Sequence, residues 1–215
     1  MKTTSLIIFM VLAAELSAQI SPPKFSLQTN VGIAYPLRFN ISDEGLLHCD
    51  MTTDLSLIYH FGEKYFVGVN YSRSEHDLQW ELHQQPLAPT EFNYFAAQVG
   101  AIQRKEKFFI SEDIGIGMLN FKFFEFQQTN PYLINYSAFK SNHAAIDMDF
   151  AIGYSINNFI DVNLKTGLMF SKINWDLHYY GTSVDEEGSY KVDDYYAKTL
   201  HYMPVEISMG IVLHI

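Results

Sequence analysis

The chain holds one cysteine, Cys49, among 215 residues, which excludes an internal disulfide framework. Beyond the N-terminus no segment holds 18 consecutive apolar residues, so helical membrane spans are excluded. Positive charge is scarce. Lys and Arg number 14 against 24 Asp and Glu, a formal charge of −10, and a chain without a basic face is no partner for nucleic acid. Chemical signatures are missing as well. There is no Gly-x-Ser-x-Gly nucleophile element and no EF-hand spacing. The residues point to no enzyme, no cofactor and no metal.

What is present is alternation. From Met203 to Ile215, Met203, Val205, Ile207, Met209, Ile211, Leu213 and Ile215 fall on one face, and Pro204, Glu206, Ser208, Gly210, Val212 and His214 on the other. A period of two over this length predicts a strand with one continuous apolar face. On an open sheet edge such a strand invites aggregation. It fits the closing strand of a barrel whose outside faces lipid. At the other end, one lysine, an apolar core from Leu6 to Ala14 and Leu16-Ser17-Ala18 read as a secretory signal peptide over residues 1–18. Residues 19–215 are then expected to form one domain, the barrel.

Seven further segments alternate in the same way: 24–35, 50–61, 65–74, 92–103, 108–121, 144–156 and 160–175, with 200–215 the eighth. The connections near 62–64, 104–107 and 157–159 are short, and those at 36–49, 75–91, 122–143 and 176–199 are long. Strict alternation of short and long is the signature of an all-β, eight-stranded antiparallel up-and-down transmembrane β-barrel. Parity sets one register. Lipid-facing residues are even-numbered on both the sixth and seventh strands, so opposed residues must have an even sum. A three-residue turn, Asn157-Asn158-Phe159, satisfies this, pairing Ile156 with Ile160 and Ala151 with Lys165, and sets Lys165 diagonal to Asp149.

In a barrel this narrow the side chains fill the lumen. Lys165, Glu206, Asp149, Asp147, Asp161, Asp113 and Asp54 are predicted to point inward, with Lys165 drawn to Asp149 and Glu206 on its neighbouring strands. The polar interior reads first as a structural plug and second as a gated ion path. Aromatics are expected in two girdles. Tyr59, Phe61, Tyr65, Phe66, Phe108, Phe109, Tyr154 and Phe159 flank the short turns, and Tyr35, Tyr71, Phe92, Tyr94, Phe121, Phe123, Phe170, Trp175 and Tyr202 lie near the long loops. Glu112 is a misfit, falling on the lipid face of the fifth strand unless a bulge near 109–112 turns it inward.

Taken together, the signal segment, eight amphipathic strands, three short turns and four long loops resemble the OmpA-like and OmpX-like outer membrane barrels. The Tyr/Asn/Phe-rich strands look most like members from Bacteroidetes-type bacteria, while Ile215 stands where an aromatic is usual. The resemblance implies a monomer in the bacterial outer membrane, surrounded by lipid and lipopolysaccharide. Some barrels of this size are lipid A deacylases with a His-x-Ser pair, which none of the eight histidines here supplies. A lipocalin-like soluble barrel is the fold rival, but its apolar residues face inward.

Function is expected to lie in the loops. Segment 176–199 carries Tyr179, Tyr180, Tyr190, Tyr195 and Tyr196 among acidic residues, and exposed tyrosines suit recognition of a surface protein or glycan. His178 with Ser183 and Asp185 is the nearest nucleophile–base grouping by sequence. The reading is a structural or surface-interaction barrel, adhesin or assembly scaffold. A narrow ion or small-solute channel and a lipid A-modifying enzyme are the alternatives.

Overall fold

The structure, a computed structural model, describes residues 24–36, 45–47, 50–80, 86–128, 133–185 and 188–215. The signal segment, His48, Cys49 and His83 lie outside the described residues. Twelve strands follow in order: β1 (Phe25–Pro36), β2 (Gly45–Leu47), β3 (Asp50–Phe61), β4 (Tyr65–Trp80), β5 (Pro86–Lys105), β6 (Phe108–Phe123), β7 (Phe126–Gln128), β8 (Leu133–Tyr136), β9 (Phe139–Ser155), β10 (Ile160–Asp185), β11 (Gly188–Tyr202) and β12 (Pro204–His214). Eight of them, β1, β3, β4, β5, β6, β9, β10 and β12, form an antiparallel up-and-down barrel. It is closed, because β12 pairs with β10 on one side and with β1 on the other.

The short turns sit where alternation breaks. Gly62 takes φ +74° between β3 and β4, a conformation that favours glycine, and Glu106 takes φ +55° between β5 and β6. At the third turn Ile156 N donates to Ile160 O at 3.0 Å and Lys165 opposes Ala151, the register that parity requires. The Met203 break between β11 and β12 precedes Pro204, which has no N–H to give to the ladder.

The outer face is apolar. Val31, Ile33, Leu57, Val69, Val99, Ile116, Ile152, Leu164, Met209 and Ile211 are all exposed on it, row above row. A soluble protein does not present such a belt, and the soluble-barrel alternative fails on this point. Glu112 interrupts the belt. β6 pairs without a register shift from Phe108 to Phe123 against both neighbours, so no bulge rotates Glu112, which stays opposite Ala101 and Phe150 on the lipid side.

Beyond the belt, at the long-loop end, the strands continue as strands. β4, β5, β9 and β10 run well past the last lipid-facing apolar residue, β2 adds to β4, β8 adds to β10, and β10 with β11 makes a long paired hairpin. The described residues of the segments expected as loops are therefore largely extended sheet. Outside the bilayer both faces of a strand are wet, so the period-two apolar pattern that reveals a strand disappears.

The aromatic girdles are thinner than expected. Tyr59, Phe61, Tyr65, Phe108, Phe159, Tyr35, Tyr71 and Phe170 do face outward and are exposed. Phe66, Phe109, Phe92, Tyr94, Phe121, Phe123 and Tyr202 are instead buried inside the barrel. They lie on the inward parity of their strands, opposite to neighbours such as Phe95 and Phe108. Two of them cover glycines across the sheet. Phe66 opposes Gly100 and Phe109 opposes Gly153, and each ring occupies the space a Cβ would need. This fills the lumen with aromatic area while letting the rings lie flat on the wall.

Candidate functional site

The lumen has three layers. At the long-loop end Phe92, Phe121, Tyr94, Leu119, Ile173 and Tyr202 form an apolar plug. Phe92 stacks on Tyr202 with centroids 4.3 Å apart and lies 4.8 Å from Phe121, and His76 Nε2 is 3.1 Å from the Tyr202 hydroxyl. His76 is therefore a buried lumen residue.

The middle layer is ionic. Lys165, on β10, points inward because its parity matches Asn163 and Gly167. Its ammonium contacts Asp54 most closely, Asp149 at 3.2 Å and Glu206 at 3.6 Å. Asp149 and Glu206 come from the two flanking strands. Asp54 reaches across the lumen from β3, which is not a ladder neighbour of β10, so sequence spacing gave no hint of its role. Asp147 takes a different partner, the Tyr94 hydroxyl, which donates to Oδ1 at 2.5 Å. One carboxylate oxygen each of Asp113, Asp147 and Asp149 lie within 4.8 Å of one another, the spacing of a cation site. Lys165 and Tyr94 already serve two of the three.

The third layer lies at the short-turn end and holds Asp161, which is not among the partners of Lys165. Asp161 Oδ2 accepts from His214 Nε2 at 2.7 Å and from Arg104 Nη1 at 3.0 Å. His214 Nδ1 is 2.9 Å from Ser26 Oγ, and Ser26 Oγ is 3.0 Å from His60 Nε2. Sequence reading missed this group. The inward parity of His60 and His214 was legible, but their meeting depends on the β1–β3 and β1–β12 pairings.

Outside the lumen, the β10–β11 hairpin is the most developed surface. Pairing runs from Ser171↔Tyr202 to Asp185↔Gly188. On one face His178 lies between Tyr195, at 4.5 Å, and Tyr180, at 5.5 Å, both nearly parallel to it. Tyr195 is 67% exposed and Tyr180 41%. Asp193 accepts from His178 Nε2 at 2.7 Å, and Ser137 Oγ sits 3.2 Å from Nδ1. His178 thus has Ser137 and Asp193 as partners, while Ser183 and Asp185 are placed by backbone register alone, opposite Tyr190 and Gly188. Tyr179 faces the other way, toward Tyr136, and its hydroxyl donates to Asp194 at 3.5 Å. Burial first and the Asp194 carboxylate second push the Tyr179 phenol up, so it remains a donor. Tyr190 and Tyr196 are placed by backbone register alone, opposite Ser183 and Leu177. Their side chains are outside the described residues.

No family model and no curated protein matches the chain. Solved structures do. The chain is similar to Neisserial surface protein A (9% identity, 92% of this chain and 100% of that chain, TM-score 0.52). It is similar to the outer membrane protein OprG from Pseudomonas aeruginosa (15% identity, 91% and 98%, TM-score 0.54). It is also similar to the outer membrane protease OmpT from Escherichia coli (8% identity, 94% and 100%, TM-score 0.55). These come from Neisseria, Pseudomonas and Escherichia and lend no support to a Bacteroidetes likeness. At such identities the likeness concerns the fold, and these neighbours include a surface protein and a protease. With the closed eight-strand ladder and the apolar outer belt, the chain has the fold of the outer membrane β-barrels.

Proposed function

We propose that this chain is exported to a bacterial outer membrane and acts at the cell surface as an interaction barrel, through the β10–β11 hairpin. The short turns face the periplasm and the hairpin projects outward. The observation that carries the reading is the aromatic platform of Tyr180, His178 and Tyr195 on an extended, fully paired hairpin. Rigid aromatics lose little entropy on binding and supply apolar area with a polar edge, which suits a protein surface or a glycan. The filled lumen supports a role at the surface in preference to conduction. The aromatic plug and the Lys165 cluster close it at two levels, and eight strands are too few for a porin-sized pore.

The test is capture of surface partners by the full barrel and by a variant whose residues 176–199 are replaced with a short Asn-Gly turn. The expected result is loss of the partner with the barrel still folded. A partner retained by that variant refutes the reading. Planar-bilayer recording is expected to show no steady current, and steady conductance would favour the narrow-channel alternative. Unaltered lipid A in a deletion strain is the outcome expected if the chain is no lipid-modifying enzyme.

A further inference from the structure

The barrel wall carries its positive charge on one flank. β1, β3 and β12 contain no Lys or Arg. On the remaining flank, at the long-loop rim, Arg73 of β4, Lys122 of β6, Lys140 of β9 and Lys172 of β10 all lie on the outward parity of their strands.

The ladder stacks this flank in rows. Phe95, Met118 and Ala144 oppose one another at the top of the apolar belt. Two residues further out Asn93, Asn120 and Asn142 form a row of amides. Two residues beyond that the row is Glu91, Lys122 and Lys140. Apolar, amide and charged side chains thus follow one another within about 13 Å of strand. A lipid has the same order of polarity from acyl chain to headgroup.

Within the charged row the two lysines are placed differently. Lys122 Nζ donates to Glu91 at 2.6 Å, and Glu91 is shared with Arg73 at 3.3 Å. Lys140 is exposed, stands directly opposite Lys122, and has no acid partner among the described residues. Opposed side chains have Cβ atoms about 4.5–5.5 Å apart, and like charges so placed repel. Lys172 is exposed one residue past the last β9–β10 pair, Ser171↔Ala145, and it too has no acid partner among the described residues. The outward carboxylate next along β10 is Asp176, two turns of the pleat above it. In the amide row Asn120 Nδ2 donates to Asn142 Oδ1 at 2.5 Å, so the exposed Asn142 keeps its own N–H groups for a ligand.

Lysines in excess of acid call for an anion, and the rows decide which. A carboxylate brings a single charge. A phosphate monoester brings roughly −1.5 to −2 at neutral pH and three acceptor oxygens, enough for two opposed lysines and an amide together. A free anion gains nothing from the apolar row, whereas a lipid lays its chains on Met118, Ile146 and Phe170, which are all exposed. We propose that the outer face of β6, β9 and β10 binds a lipid with a terminal phosphate monoester, the phosphate between Lys122 and Lys140, Lys172 beside it, Asn142 beneath it and the chains on the apolar belt. Lysines that merely reach from the belt to water would ring the barrel. Their confinement to one flank is the mark of a site. It stands on the barrel wall and does not depend on the partner of the β10–β11 hairpin.

The experiment uses the full barrel in detergent micelles, titrated with phosphatidic acid, phosphatidylglycerol and inorganic phosphate, and read by backbone amide NMR shifts at Asn120 and Asn142. Phosphatidic acid, a monoester, is expected to saturate with a Kd roughly fivefold or more below that of phosphatidylglycerol, a singly charged diester, and inorganic phosphate is expected not to saturate over the same range. Lys140→Gln keeps the length and removes the charge, and should weaken phosphatidic acid by about fivefold. Lys172→Gln carries the same direction if Lys140→Gln loses the folded gel mobility. Lys105→Gln, exposed at the short-turn end, should leave the affinity unchanged. An equal loss in Lys105→Gln would show diffuse attraction to the micelle and overturn the site. Phosphatidylglycerol binding as tightly as phosphatidic acid, inorganic phosphate matching it, shifts that do not saturate, or wild-type affinity in the folded lysine variant would each overturn it too.

Discussion

Lys165→Met removes the one ammonium that three inward carboxylates share. In the native barrel Lys165 is 5% exposed and touches Asp54, Asp149 and Glu206. Methionine keeps the unbranched shape and loses the charge, so packing changes little and the effect isolates electrostatics. Removing one partner of a buried ion pair typically costs about 3–5 kcal/mol, because the other charge stays buried and uncompensated. With a urea m-value of roughly 2 kcal/mol per molar, that lowers the unfolding midpoint by about 1.5–2.5 M. The assay is urea unfolding in lipid vesicles, read by the shift between folded and unfolded gel mobility. The double variant Asp54→Asn/Lys165→Met should recover part of the loss, since it removes the acid closest to the missing ammonium. A single variant within about 0.5 kcal/mol of wild type, or a double variant no better than the single, refutes the reasoning.

Other positions follow from geometry already described. Gly153→Ala puts a methyl where the Phe109 ring lies, and should cost about 1–3 kcal/mol in the same assay. Phe92→Ala empties the stack with Tyr202 and Phe121 and should cost about 3–5 kcal/mol, detectable also as increased solute leakage through reconstituted barrels. Glu112→Leu replaces a carboxylate on the lipid face and should stabilise the barrel by roughly 1 kcal/mol, a gain absent in short-chain detergent where that face is wetter. Tyr180→Ser with Tyr195→Ser should leave the gel shift intact while abolishing partner capture.

The membrane-embedded part was legible because lipid imposes a strict rule on every second residue. The three short turns and the pairing of Lys165 with Ala151 came from that rule alone. The same parity, applied to the aromatics, would have moved Phe66, Phe92, Tyr94 and Phe109 into the lumen. Counting them by closeness to a turn placed them outside, because aromatic residues suit both locations. What lay beyond the sequence were contacts that cross the barrel. Asp54 meets Lys165 and Ser26 meets His214 only after closure, and no local pattern encodes a partner that far along the chain. The outer strand extensions were hidden for a different reason, the lack of any apolar periodicity where both faces meet water.

The seam between β1 and β12 has a kinetic consequence. Ser26 and His214 are 188 residues apart and yet share a ladder position and a hydrogen bond. Every other barrel pairing except β10–β12 joins chain neighbours or near neighbours, so it can form as local hairpins. The seam must wait until the rest of the cylinder has curled, and topologies dominated by such distant contacts fold slowly. The hydrogen bond between the buried serine and histidine on that seam then forms late, once the strands have closed. Ser26→Ala should quicken unfolding while leaving the folding rate nearly unchanged, which makes the seam a clasp governing lifetime in the membrane.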